Sequence, residues 1–95
     1  MNRPALVTID LSEINTARQL HAALAAALDF PSFYGMNWDA FWDAITGLVG
    51  MPQQLELLGW QGLASRLPRD AALLRRCLER AQQEMPNGAS HVHYM

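Results

Sequence analysis

Asp39 and Asp43 stand four residues apart, with Trp42 between them. On a helix this spacing puts two carboxylates on one face, with β-carbons about 6 Å apart. Such a pair can share general acid–base work, or it can receive cations from a partner. Acid–base catalysis needs a pocket that shifts a pKa. An exposed helix face offers none, so the expectation is binding and not an enzyme. Like charges at this spacing cost a helix roughly 0.2–0.5 kcal/mol, and no arginine lies nearby in sequence to offset them. A tryptophan flanked by two unrelieved acids has the make-up of an interface, an aromatic anchor with acceptors for arginine or lysine.

The other reactive residue types are weaker candidates. His91 and His93 would share one side of a strand. Zinc needs three or four ligands, and no cysteine or acid at suitable spacing joins them, so no metal is expected. Cys77 falls on the apolar face of a helix and reads as a small buried hydrophobe. No activating base lies near it in sequence. His21 sits beside leucines and reads as a packed or capping residue. No cofactor is expected.

These residues need elements to hold them. Ala5–Asp10 is β-branched and unbroken, and reads as a strand. Residues Ile14 to Leu28 carry Leu20, Leu24 and Leu28 at helical spacing, with Ser12 or Asn15 as cap. Pro31 and Gly35 mark a loop. A second helix is predicted from Trp38 to Leu48, with Asn37 as N-cap and Gly47, Gly50 and Pro52 at its end. Leu55–Leu58 reads as a buried strand, while Trp60–Leu67 is ambiguous, with a short helix as one reading. Pro68 and Asp70 start a helix that places Leu74, Cys77, Leu78 and Ala81 on one face. Pro86, Asn87 and Gly88 form a turn before a last strand at Ser90–Tyr94. Helices between short strands imply crossovers. The predicted fold is α/β, a three-stranded parallel sheet packed against three to four helices, with residues 1–95 as a single domain.

Stepping about 100° per residue along the second helix divides it. Asp39, Trp42, Asp43 and Thr46 fall on one side. Trp38, Phe41, Ile45 and Leu48 fall on another and make a core stripe. Trp42 is expected toward solvent, with packing under the loop around Phe33 and Tyr34 as the alternative.

Composition narrows the function class. Hydrophobic residues are 51% of the 95 and charged residues 17%, too apolar for disorder and too interrupted for a membrane span. No basic start leads into an apolar stretch, so no signal peptide is expected. The lone Cys77 suits a reducing cytoplasm. All seven basic residues are arginines, and none lies between Arg18 and Arg66. That gap holds Asp29, Asp39, Asp43 and Glu56. Nucleic acid calls for a clustered basic patch, whereas this segment would repel phosphate and attract a basic partner.

Phe30-Pro31-Ser32-Phe33-Tyr34-Gly35-Met36-Asn37-Trp38-Asp39-Ala40-Phe41-Trp42-Asp43-Ala44-Ile45-Thr46-Gly47 resembles the signature of the barstar family, intracellular inhibitors of secreted barnase-type ribonucleases. The pattern is Pro, an aromatic pair, Gly, any residue, Asn, apolar, Asp, Ala, apolar, Trp, Asp, then Thr-Gly. The resemblance implies a barstar-like fold and a one-to-one complex in which this loop and helix plug a basic ribonuclease's active site. A related cationic toxin bound through the same surface, as by an immunity or regulatory module, is the alternative partner. By position, Phe33, Tyr34, Gly35, Asp39, Trp42, Asp43 and Thr46 match the partner-binding surface. Asp43 matches the acid that enters the enzyme's phosphate site. Phe33 replaces a tyrosine, Leu48 stands where the pattern has a tryptophan, and Arg80 stands where it has a contacting glutamate. Leu48, Glu79 and Arg80 are thus assigned to the rim.

Overall fold

Three short strands, β1 (Leu6–Asp10), β2 (Gln54–Leu58) and β3 (His91–Tyr94), form one parallel sheet in the order β1-β2-β3. The computed structural model describes residues 3–95. Parallel neighbours cannot be joined by a hairpin. Helices α1 (Ala17–Leu28) and α2 (Trp38–Asp43), followed by a π-helical turn at Ala44–Leu48, connect β1 to β2. Helices α3 (Trp60–Arg66) and α4 (Pro68–Glu84) connect β2 to β3. The expected architecture is the one found.

Alternation along the strands decides which side of the sheet is covered. Val7, Leu55 and Val92 lie in register, as do Ile9, Leu57 and Tyr94. These residues join the core with Leu20, Leu24 and Leu28 of α1, Phe41 of α2, Leu63 of α3, and Leu74 and Leu78 of α4. The alternate positions, including Leu6, Thr8, Gln54, His91 and His93, are exposed. The sheet therefore has one packed face and one wet face, and the helices share a single side.

Two arginines fasten this arrangement. Arg66 donates from Nε to the Ile14 carbonyl (2.8 Å) and from a terminal nitrogen to the Leu11 carbonyl (2.9 Å). Arg3 donates to the carbonyls of Met51, Asn87, Pro52 and Ala89. Gly59 turns the chain from β2 into α3 at φ 74°, where a β-carbon would come within 3.1 Å of the Ser12 nitrogen.

The start of α1 departs from expectation. The helix begins at Ala17, not near Ile14, and its cap is Thr16 in place of Ser12 or Asn15. The Thr16 hydroxyl accepts from the Gln19 amide (3.1 Å), and Gln19 Oε1 accepts from the Asn15 amide (2.8 Å). This reciprocal pair satisfies two donors at the helix entrance, as a capping box does, and leaves Ile14 free to be buried before the helix starts.

Candidate functional site

The loop before α2 is held from both ends. Asn37 is extended, and its Oδ1 accepts from the Ala40 amide at 2.7 Å, which caps α2. Its Nδ2 donates to the Gly35 carbonyl at 3.0 Å. Met36 adopts a left-handed φ of 55° between them. Tyr34 is half-buried, with its hydroxyl 2.6 Å from His21 Nδ1. Its ring lies 4.8 Å from that of Phe30. Fastened there, the loop leaves Phe33 73% exposed. That leaves most of an apolar ring in contact with water.

Helix α2 begins as predicted and ends differently. Trp38 donates from Nε1 to Asp70 of α4 at 3.0 Å, and Phe41 is fully buried. After Asp43 the helix widens. The Val49 amide bonds back to the Ala44 carbonyl over five residues (3.2 Å), and the Thr46 hydroxyl donates to the Trp42 carbonyl at 2.6 Å. A side chain bonding the carbonyl four residues back competes with the regular ladder, and such π turns recur at functional sites. The widening corrects the core stripe. Ile45 stays buried, but Leu48 is 51% exposed, because the extra residue in the turn carries it off the angle that regular spacing assigns.

Two grooves flank the helix. Trp38, Asp39, Trp42, Asp43, Leu73, Arg76, Cys77 and Arg80 line one, of about 420 Å³, between α2 and α4. Phe33, Tyr34, Gly35, Asp43 and Leu48 are among the residues lining the other, of about 230 Å³, beside the loop. Asp43 borders both. Asp39 and Asp43 are exposed, and among the described residues the ion pairs are Arg75–Glu79 and Arg80–Glu84, so neither aspartate is neutralised by a pair.

Trp42 is where the structure amends the helix angles. It is half-buried and not fully toward solvent, and it does not belong to the groove beside Phe33 and Tyr34. Its covering comes from α4, where the Arg80 guanidinium carbon lies 4.1 Å from the ring centre. That is within cation–π range. Thr46 is half-buried and spends its hydroxyl inside the helix. Glu79 is exposed and bridges to Arg75 at 3.6 Å.

Sequence reasoning left out Leu73 and gave Arg76 no role, and both line the groove between the helices. Their spacing with Arg80 along α4 is the signal that could have found them. Cys77 is half-buried at this groove instead of sealed in the core. Burial pushes its thiol up, and Asp39 adds to that, while Arg80 and Arg76 work against it. His91 and His93 stand on the wet face of the sheet, and His93 Nε2 lies 3.1 Å from Gln54 Oε1. Among the described residues, no three His, Cys, Asp or Glu side chains gather as a metal site, and no helix is long and apolar enough to cross a membrane.

Known proteins resemble this chain over most of its length. The family model for Barstar (barnase inhibitor) matches residues 5–94. A protein of Bacillus subtilis (strain 168) named "Putative ribonuclease inhibitor YrdF" is 34% identical over 79 residues, 83% of this chain and 87% of that protein. With the fold, the matched length and this relative in agreement, the chain belongs to the barstar family.

Proposed function

We propose that this chain inhibits a basic ribonuclease of the extracellular type, binding it one-to-one and blocking its active site with the loop around Phe33 and the outward side of α2. Residues 1–95 act as one barstar-like unit in this reading, and the place of action is the cytoplasm. The observation that carries it is the shared border of the two grooves, where Asp43 stands unpaired between Phe33 on one side and Trp42 on the other. An enzyme that cleaves RNA must gather cations for phosphate. A carboxylate offered there imitates the substrate's charge and takes the same donors. Asp39 extends the negative face, and Phe33 and Trp42 supply apolar contact area. Tyr34, Gly35 and Thr46 shape this surface, while Leu48, Glu79 and Arg80 form its rim.

The test is inhibition of a panel of basic microbial ribonucleases. Inhibition by the wild type should weaken about 30-fold or more in Asp43→Ala, since stranding a partner's buried cation costs about 2 kcal/mol or more. Trp42→Ala should lose a similar amount as an aromatic anchor. Unchanged inhibition in both would place the interface elsewhere. The substitutions at Phe33, Leu48 and Arg80 favour one further reading, an immunity or regulatory module for a different cationic toxin. Capture of a basic protein without ribonuclease activity by the wild type, lost in Asp43→Ala, would select it.

A further inference from the structure

Five of the seven arginines fall into two contrasting groups, apart from Arg18 and from Arg75, which pairs with Glu79. Arg3 and Arg66 give their guanidinium groups to main-chain carbonyls and hold the fold. Arg69, Arg76 and Arg80 do something else. With Leu73 they follow one another along α4 at helical spacing and fall on a single stripe. They line a groove of about 700 Å³ along the outer side of α4. That groove shares Leu73, Arg76 and Arg80 with the one holding Asp39, Trp42 and Asp43. The basic stripe is therefore continuous with the acidic face.

Arg80 is also fixed in place. Its guanidinium carbon rests 4.1 Å from the Trp42 ring centre, and its Nε–H donates to Glu84 at 2.6 Å. These two contacts favour one rotamer and so lower the ordering cost of binding. Among the described residues, the bond to Glu84 is the one that Arg80 makes within the chain, which leaves its terminal N–H groups for an outside acceptor. Arg69 and Arg76 are exposed and have no ion pair among the described residues.

A partner surface of cations alone would meet repulsion from Arg76 and Arg80 as soon as it reached Asp39 and Asp43. A wholly acidic one would meet the reverse. The groove has carboxylates on one wall and guanidinium groups on the other, and it is complementary to a surface that carries both signs side by side. We propose that α4 supplies the second half of the binding surface, and that the partner is a ribonuclease with an exposed carboxylate beside its cationic site, received by Arg76 and Arg80. This inference rests on the ribonuclease reading above and narrows its partner class.

The experiment uses charge reversal against a ribonuclease that the wild type inhibits. Arg76→Glu and Arg80→Glu should each raise the inhibition constant about tenfold or more, because like charges would then face each other across the interface. Arg80→Met, which retains an apolar stem against Trp42, should weaken inhibition less than Arg80→Glu. Circular dichroism and melting temperature of the free chains guard against misfolding, since both positions are exposed. Equal or stronger inhibition by a folded Arg80→Glu would overturn the proposal, as would equal weakening by Arg80→Met. Two failures are separable. If the wild type inhibits no ribonuclease, the reading above falls and this inference with it. If Asp43→Ala abolishes inhibition while the arginine reversals leave it intact, this inference alone falls.

Discussion

His21 Nδ1 lies 2.6 Å from the hydroxyl of Tyr34, a contact that ties α1 to the loop carrying Phe33. His21 is 3% exposed, and its ring centre is 4.4 Å from that of Trp38. Burial pushes its pKa below the ordinary 6.5, and the Asp70 carboxylate on α4 works in the opposite direction. Tyr34, the other titratable group facing it, is itself pushed up by burial and stays neutral.

The sign of the pH effect follows from linkage. The folded state binds this proton less readily than the unfolded chain, so stability is complete above pH 6.5 and declines as pH falls through and below that value. Urea midpoints measured from pH 8 to pH 5 should fall for the wild type and change less for His21→Gln. Asp10, held low by hydrogen bonds from Ser12, titrates below this window. Equal pH slopes in wild type and variant would remove His21 as the cause.

Asn37 both caps α2 and bonds the Gly35 carbonyl. Asn37→Ala should cost about 1 kcal/mol of stability. Asn37→Asp, which keeps the acceptor, should cost less. Chemical denaturation of the two variants measures this difference. Ribonuclease inhibition should weaken in the same order, because the cap sets where the loop meets the helix.

Asp39 sits in the first turn of α2, exposed, and on the proposed face. Its contribution should lie more in the rate of encounter than in the lifetime of the complex. Stopped-flow association with a basic ribonuclease should slow as salt rises, and Asp39→Asn should flatten that dependence.

Gly59→Ala tests the turn that joins sheet to helix. An added β-carbon meets the Ser12 backbone at a positive φ, and neither side of the contact can swing away. The expected loss is about 1–2 kcal/mol, the cost of a left-handed residue, plus whatever the contact adds. Gly47→Ala is a fitting comparison, since nothing lies within 4 Å of its added β-carbon. Thermal melts should separate the two, with Gly59→Ala the lower.

Much of the architecture is written in local pattern. The β-branched run of β1, the leucine spacing of α1 and the Pro68 start of α4 each follow from propensity and period, and each element lies within a few residues of its expected range. The outward position of Asp39 and Asp43 was legible for the same reason. Leu48 was not, because a π turn arises when the Thr46 hydroxyl and the Val49 amide take carbonyls that regular spacing assigns to others. The cover over Trp42 was not legible either. It comes from Arg80, 38 positions along the chain, and a contact between two helices leaves no mark on the period of either one. The clamps of Arg3 and Arg66 share this character, reaching across as many as 86 and 55 positions.

The parallel sheet has a consequence for the order of events on a ribosome. Leu6 pairs with Gln54, and Gln54 pairs with His91, so neither ladder can form from a local hairpin. Long-range pairing of this kind is slow to nucleate. The acids of α2 emerge well before the arginines of α4, and the last strand emerges after both. A nascent chain thus carries an acidic surface without its basic neighbour, and its middle strand waits with one edge bare. Both signs of charge can meet in one groove only once α4 has followed α2 out.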